Sequence, residues 1–191
     1  MTYDNIYALF ENVTPLFADC GQVCGRACCR GDLGMRLFPG EPVPSCGEMS
    51  FGKRTTEERS RSSRGSLIHG IMEESGDRRI FICGGRCDRS ARPLACRIFP
   101  LFPVIDHGGR VRVVYDPRAY RLCPLVKYHR HVRLRRDFVR AVRFAGSLIA
   151  ADPAGRDFLT EVTAEIDGFN RFLRLDEQRP PICRRGLIAQ K

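Results

Sequence analysis

The residues that decide this fold run from position 20 to 29 and read Cys20-Gly-Gln-Val-Cys24-Gly-Arg-Ala-Cys28-Cys29. Glycines between the cysteines allow the tight backbone that a metal-binding loop needs. The last two cysteines are neighbours in the chain, and the side chains of neighbouring residues tend to diverge. We therefore expect this pair to serve two sites, or one metal and one separate role, rather than two corners of one tetrahedron.

A second group of cysteines follows much later in the chain. The segment Cys83-Gly-Gly-Arg-Cys87 comes directly after Arg79-Ile-Phe-Ile82, an apolar run that predicts a strand delivering Cys83. Cys123 comes last and is followed at once by Pro124, which is suited to opening a new element. The two groups are thus predicted to meet in space although they are far apart in sequence.

Cys96 lies inside a block that reads Arg92-Pro93-Leu-Ala-Cys96-Arg97-Ile-Phe-Pro. Pro93 fixes the backbone ahead of the cysteine and removes one amide donor. Arg92 and Arg97 are predicted to place positive charge beside thiolates, where guanidinium groups stabilise a negatively charged metal site.

The number of cysteines points to metal or redox chemistry. The chain has 10 cysteines among 191 residues. Its first residues carry Asp4 and Glu11 within an apolar stretch, and no apolar run approaches the ~20 residues that a membrane helix needs. We therefore expect a cytoplasmic protein without a membrane partner. Disulfides do not persist in that compartment, so a secreted disulfide framework is the weaker reading.

Thiolates are soft ligands that suit zinc and iron–sulfur clusters, both of which usually take four ligands. The gaps of three residues do not distinguish zinc from iron–sulfur, but they exclude bacterial ferredoxin spacing. Eight clustered thiols suit two four-thiolate sites, or one site with additional thiols. The predicted metal ligands are Cys20, Cys24, Cys28, Cys29, Cys83, Cys87, Cys96 and Cys123. Cys46 and Cys183 are expected to be spare thiols, and His129 and His131 to have surface or capping roles.

Around these cysteines the sequence predicts an α+β fold in a single domain over residues 1–191, with a metal-centred cysteine-rich core within 18–125. Helical spacing of apolar residues predicts an N-terminal helix over 4–17, capped by Asp4. Residues 34–40 are predicted to form a short strand. A second strand over 110–115 is expected to pair, through a turn at 106–109, with the apolar segment before it.

The remaining segments are predicted to flank this core. Residues 42–77 are rich in serine and arginine and poor in apolar residues, which predicts a mobile loop between the two halves of the metal site. Apolar residues at helical spacing predict helices over 127–150 and 153–174, the second opened by Asp152-Pro153, so that 126–174 forms a helical hairpin. Residues 175–191 are expected to be a loosely held tail.

The net charge of +10 raises the question of a nucleic-acid partner. Only three of the 32 basic residues are lysines, a bias that genomic base composition explains as readily as phosphate binding. Four arginines fall on one face of the first C-terminal helix, with no aromatic residue expected between them to stack on bases: Arg133, Arg136, Arg140 and Arg143. We therefore expect a solvated arginine face rather than a nucleic-acid site.

The whole pattern resembles the YkgJ-type cysteine cluster family, described as chelating zinc or iron through eight characteristic cysteines. The resemblance covers residues 18–125. It rests on the adjacent pair Cys28-Cys29, on the Arg-Pro-x-x-Cys-Arg-x-x-Pro block at 92–100, and on the trailing Cys123. It implies that the eight clustered cysteines are the metal ligands. Flagellin lysine N-methylases carry a similar cysteine arrangement linked to an iron–sulfur cluster, but this chain is much shorter.

Three functions are therefore open at the level of sequence. The first is a metal-binding protein whose zinc or iron–sulfur cluster is structural or carries electrons. The second is an iron–sulfur-dependent protein-modification enzyme, against which stands the lack of a phosphate loop, a serine nucleophile motif or a metalloprotease helix. The third is a zinc-stabilised nucleic-acid-binding module. Whether the chain is an enzyme stays undecided, and the protein partner stays unknown.

Overall fold

Two small sheets and a pair of long helices organise this α+β chain. The computed structural model describes residues 2–30, 34–42, 50–51, 70–75, 78–83, 92–128 and 133–173. Several predictions fall on residues outside these ranges: the loose tail at 175–191, and the roles of Cys46, Cys87, Cys183, His129 and His131. No helix in the described ranges is both long enough and apolar enough to span a bilayer.

The N-terminal helix α1 is shorter than predicted and covers Tyr3–Ala8. Thr2 rather than Asp4 occupies the N-cap position, and Asp4 lies in the first turn. The helix does not continue toward residue 17 because Asn12, Val13 and Thr14 are poor helix formers and are followed by Pro15. The expected helix 4–17 is therefore wrong beyond Ala8.

The first sheet has four strands in the order β1-β4-β3-β2. Its strands are β1 (Met35–Arg36), β2 (Ser50–Phe51), β3 (Gly70–Ser75) and β4 (Arg78–Cys83). The strand predicted before Cys83 is thus confirmed as β4, and the one predicted at 34–40 is reduced to β1.

Strand β3 corrects the expected loop at 42–77. It pairs antiparallel with β4, with Ile71 opposite Ile82 and Met72 opposite Phe81. This backbone pairing makes the segment part of the sheet. The rest of the expected loop, apart from β2, lies outside the described residues.

The second sheet is a hairpin of β5 (Leu101–Ile105) and β6 (Val111–Tyr115), preceded by the short helix α3 (Leu94–Ile98). The Asp106 carboxylate closes the turn by accepting hydrogen bonds from Gly108 N at 2.9 Å and Arg110 N at 3.0 Å. This confirms the predicted hairpin and its turn.

Two short helices, α4 (Ala119–Leu122) and α5 (Pro124–Lys127), lead into the long pair α6 (Arg136–Ala150) and α7 (Pro153–Phe172). Helix α6 begins at Arg136, later than the predicted 127, and residues 124–127 form the separate short helix α5, with Tyr128 as its C-cap. Asp152 caps α7 by accepting a hydrogen bond from Gly155 N at 3.1 Å, as its sequence predicts. The helical hairpin is confirmed, and it packs on β5 and β6.

Arg136, Arg140 and Arg143 are exposed on α6 as expected, whereas Arg133 is exposed but precedes the helix, because α6 begins only at Arg136. Phe144 also lies there and is 54% exposed. Phe144 follows Arg143 in the chain rather than lying between these arginines, and Phe138, which does lie between them in the chain, is buried.

The buried core is hydrophobic. Ile6 and Phe10 from the N-terminal segment lie against the C-terminal part of the chain, where the Phe10 and Phe138 rings meet edge-on at 6.4 Å. Cys123 belongs to this core, and Cys20 and Cys28 pack against it while partly exposed. In the described residues the cysteines therefore lie at the edge of an apolar core, whereas the sequence predicted a core centred on metal.

Candidate metal centre

Six of the eight predicted ligands line one cavity of about 70 Å³. They come from three separate stretches of the chain. The six residues are Cys20, Cys24, Cys28, Cys29, Cys96 and Cys123. All six carry free thiols, and Cys123 is buried while the other five are half-buried.

The first four cysteines are positioned by helix α2 (Cys20–Val23) and the tight turn after it. Asp19 caps the helix by accepting a hydrogen bond from Gly21 N at 3.1 Å. Gly25 and Arg26 then adopt left-handed conformations, with φ of 60° and 59°. This reversal lets Cys29 N donate to Arg26 O at 2.9 Å, and the 3-10 turn at 27–30 returns the vicinal pair to the cavity.

The vicinal pair does not diverge as expected. The Cys28 and Cys29 sulfurs are 4.0 Å apart. Two thiolates bound to one tetrahedral zinc, each at ~2.3 Å from the ion, lie ~3.8 Å apart. The spacing therefore suits two ligands of one metal, in contrast to the expectation from sequence.

Cys96 is positioned by α3, whose first turn is fixed by a carboxylate that the sequence did not reveal. Glu41 is 1% exposed and accepts hydrogen bonds from Leu94 N at 2.6 Å and Phe38 N at 2.9 Å. Its third donor is the Tyr7 hydroxyl at 2.8 Å. Burial raises the pKa of Glu41, and these hydrogen bonds only partly oppose that rise. Glu41 thus ties α1, the segment after β1 and the start of α3 together.

Cys123 lies at the junction of α4 and α5. Its backbone N–H donates to Ala119 O at 2.9 Å, and its carbonyl accepts from Val126 N and Lys127 N, each at 3.0 Å. Burial raises the pKa of the Cys123 thiol, although the backbone amides of Leu125 and Val126 oppose the shift. The Pro124 that follows begins α5, as predicted.

Burial also raises the pKa of the Cys20 thiol to about 11, with smaller contributions from the nearby Cys24 and Asp19. Arg92 works in the opposite direction. Burial thus favours the neutral thiol at both Cys20 and Cys123, and a cation such as a metal ion would stabilise their thiolate forms.

Three arginines line the same cavity: Arg26, Arg92 and Arg118. Arg92 lies 3.9 Å from the Asp19 carboxylate. Arg118 is held by Asp116 and donates to Gly34 O at 3.1 Å. The sequence predicted only Arg92 of these three, because Arg26 and Arg118 belong to no recognisable motif.

Arg97, the other arginine predicted to flank thiolates, points elsewhere. Its side chain donates to Arg92 O at 2.8 Å, and its guanidinium lies 4.4 Å from the centre of the Tyr7 ring. Burial against that ring and the backbone, rather than the thiols, determines its position. Arg97 is not among the residues that line the cavity in the described part of the chain, and its predicted role beside the thiolates stays a prediction.

The fit of this donor set to a metal can be tested on its geometry. In the described part of the chain, no three Cys, His, Asp or Glu side chains converge closely enough to hold an ion. The six thiols share a cavity and the Cys28–Cys29 spacing suits a ligand pair. The Cys83 side chain and the whole of Cys87 fall outside the described residues. Thiolates are the ligand type that a soft metal prefers, and six of them are more than the four ligands that such a metal usually takes. For four of them to bind one ion, their sulfur atoms must move closer together.

Comparison with known proteins adds no family. No family model matches this chain, and neither the curated proteins nor the solved structures contain a match. The resemblance to the YkgJ-type family therefore stays a prediction.

Proposed function

We propose that this chain is a metal-binding protein that holds zinc or an iron–sulfur cluster through its clustered cysteines, in a structural or electron-carrying role. The observation that supports this best is the shared cavity of six thiols. Buried structural cysteines have no reason to gather from distant segments around one open space, whereas metal ligands must do so.

The residues proposed as ligands are the six that line the cavity together with Cys83 and Cys87. Thiolates of this kind suit zinc as a structural cross-link or an iron–sulfur cluster as an electron carrier. The chain's own contribution is to position the thiols on and between short helices and to place Arg92 and Arg118 at the same cavity. Four thiolates on one zinc ion leave a net charge of about −2, which neighbouring guanidinium groups stabilise.

Nucleic acid and membranes are not part of this proposal, and the cytoplasm remains the proposed compartment. The positive charge on α6 lies on an exposed helix face well separated in sequence from the cysteine cavity. Such a face binds polyanions weakly and with a steep dependence on salt. Replacing Arg136, Arg140 and Arg143 with glutamine is expected to leave metal content unchanged.

Anaerobic purification followed by elemental analysis and an absorption spectrum tests the proposal. We expect at least one equivalent of zinc or iron per chain, with visible absorption if the metal is an iron–sulfur cluster. Freshly isolated protein that contains no metal, remains folded and has all 10 thiols titratable would contradict it.

A further inference from the structure

A second cavity lies beside the cysteine cavity and has a volume of about 250 Å³. Its walls come from β1, α3, β5, α7 and the segment that follows β6. Arg118 lines both cavities, which are therefore neighbours. Seven of the eleven described residues that line the second cavity are apolar, and the other four are two arginines and two acids. A concave, mostly apolar surface with a few polar groups is the usual form of a small-molecule site.

The charged groups of this lining compensate one another. Arg118 pairs with Asp116. Arg36 pairs with Glu161 at 2.8 Å and lies 3.6 Å from the Glu165 carboxylate. A charged ligand would lose its own hydration on entering the cavity and would compete with partners that are already in place. The lining therefore favours an uncharged molecule.

Aromatic rings form much of the apolar wall. Phe102 and Phe158 are buried, and the centres of their rings lie 5.7 Å and 5.0 Å from the centre of the Phe38 ring. Phe38 is itself fully buried, so packing fixes both rings before a ligand arrives. Phe169 is 46% exposed and is the ring of this lining that is most open to solvent. Aromatic rings prefer offset or edge-on contacts with other rings, which a flat aromatic molecule provides.

Arg36 supplies a hydrogen-bonding group beside these rings. Its guanidinium lies 4.7 Å from the centre of the Phe158 ring. Its Nη2 donates to Glu161 at 2.8 Å, whereas its Nη1 lies 3.6 Å from Glu165, which is longer than an ordinary hydrogen bond. A guanidinium has five N–H donors in a planar arrangement. A carbonyl oxygen in the cavity can therefore accept from Nη1 while Nη2 keeps its bond to Glu161.

We propose that the second cavity binds an uncharged molecule of two fused rings, with the rings among Phe102, Phe158 and Phe169 and a carbonyl oxygen accepting from Arg36. An apolar cavity of about 150 Å³ holds one benzene ring. The larger volume here gives room for the second ring. Cysteine is absent from the described residues that line this cavity, so the inference goes beyond the proposed function and does not depend on it.

Binding of coumarin to the purified full chain, measured by isothermal titration, tests this. Coumarin is uncharged and has two fused rings and one carbonyl group, and we expect it to bind saturably. Chroman has the same ring skeleton without the carbonyl and should bind about three- to tenfold more weakly, because one hydrogen bond is lost. Coumarin-3-carboxylate carries a negative charge and should bind about tenfold more weakly or worse. The proposal is overturned if coumarin does not bind saturably, or if either analogue binds as tightly as coumarin.

Two phenylalanines of α7 provide a matched pair of variants that locates the site. Phe169 lines the cavity, whereas Phe172 is 84% exposed and is not one of its described lining residues. Phe169→Ala is expected to weaken coumarin binding by about three- to tenfold, because ring contacts are lost. Phe172→Ala should leave the affinity unchanged. Equal affinities of the two variants would show that coumarin binds elsewhere.

Arg36→Met assigns the carbonyl contact. It removes the donor, so coumarin and chroman should bind this variant with equal affinity. The comparison of two ligands on one variant does not depend on how stable that variant is. If Arg36→Met still prefers coumarin as strongly as the wild type does, Arg36 does not bind the carbonyl and the proposal fails.

Metal content, measured on the same samples, separates this inference from the proposed function. Phe169→Ala and Arg36→Met are expected to hold as much metal as the wild type. A wild-type chain that contains metal but does not bind coumarin refutes this inference alone. A wild-type chain that binds coumarin but contains no metal refutes the proposed function alone.

Discussion

The two halves of this molecule hold together by different means. In the hairpin half, made of β5, β6, α6 and α7, long elements bury continuous apolar faces, and the α6 backbone at Gly146 lies against Pro103 and Val111. In the cysteine half, made of α2, the 3-10 turn at 27–30, α3, α4 and α5, each element has only four or five residues. Helices that short are not stable by themselves.

The cysteine half therefore depends on links between its elements. One link is visible in Glu41, which joins three segments through a single carboxylate. The proposed second link is the metal, which would connect α2, α3 and the α4–α5 junction through their thiols. We therefore expect substitutions of the cysteine ligands or of Glu41 to destabilise the cysteine half, and substitutions in the apolar packing to destabilise the hairpin half.

The largest effect is expected from the ligands. Structural zinc in small domains contributes an apparent ~10–16 kcal/mol, so losing a ligand should cost several kcal/mol. Cys24→Ser and Cys123→Ser are each expected to lower the metal content and the melting temperature. Elemental analysis and thermal unfolding, followed by circular dichroism, measure both quantities on the same samples.

Cys183→Ser provides the control, because the sequence places that thiol outside the clusters. It should change neither metal content nor melting temperature. If Cys123→Ser leaves both as they are in the wild type, the cavity is not the metal site and the contrast between the halves loses its basis.

Glu41→Ala is expected to have the next largest effect. The change leaves the amides of Leu94 and Phe38 and the Tyr7 hydroxyl without their buried acceptor, at a combined cost of about 3–5 kcal/mol. Tyr7→Phe removes one of these bonds and should cost about 1–2 kcal/mol. Urea unfolding of metal-loaded protein measures both values. If Glu41→Ala is as stable as the wild type, the hydrogen bonds of this carboxylate do not stabilise the contact between α1, the segment after β1 and α3.

The hairpin half could be predicted from sequence because its signals are local. Asp152 followed by Pro153 marks the start of α7, and a turn at 106–109 between two strand-like segments marks the β5–β6 hairpin. Each of these sequence patterns involves residues that are only a few positions apart in the chain. The same locality explains the failure at α1, where apolar spacing persisted past the residues that end the helix.

The cysteine half could be predicted only in part, because its contacts are distant in sequence. The cysteines were predicted as ligands from their residue type and their grouping in the sequence. The hydrogen bond between Glu41 and Leu94, in contrast, joins residues 53 positions apart, and the one between Arg118 and Gly34 joins residues 84 positions apart. No periodicity or motif in the sequence predicts hydrogen bonds between residues so far apart. Similarly, β3 joins its sheet through pairing with β4, and its own polar surroundings concealed it.

Two glycines provide a matched pair that tests the packing of the hairpin half. A Cβ on Gly146 would lie 2.5 Å from Pro103 Cβ and 2.9 Å from Val111 Cγ1, so Gly146→Ala should destabilise by about 1–3 kcal/mol through overpacking. Gly168 in α7 has nothing within 4 Å of that position, and Gly168→Ala should stabilise by about 0.5–1 kcal/mol. Metal content should be the same in both. A Gly146→Ala chain as stable as the wild type would contradict the close packing of α6 on the hairpin.

The smallest effects expected are on the pH dependence of stability, and they differ in sign between the halves. Burial raises the pKa of Glu41 above 4.5. The folded chain therefore holds this proton more tightly than the unfolded chain, and the resulting stability is present below about pH 4.5 and is lost as the pH rises through the folded-state pKa. In the hairpin half, the hydrogen bond from Arg135 lowers the pKa of Asp137 below 3.8. Its contribution is present above about pH 4 and is lost as the pH falls.

Comparison with variants that do not titrate isolates each group. The free energy of unfolding of the wild type minus that of Glu41→Gln should decrease between about pH 4.5 and 8. The corresponding difference for Asp137→Asn should be flat over that range and decrease only below about pH 4, and it should be small because Asp137 is exposed to solvent. Urea unfolding at several pH values measures both differences. If the Glu41 difference increases with pH, the hydrogen bonds from Leu94, Phe38 and Tyr7 outweigh burial, and the carboxylate is then ionised where it links the cysteine half to α1.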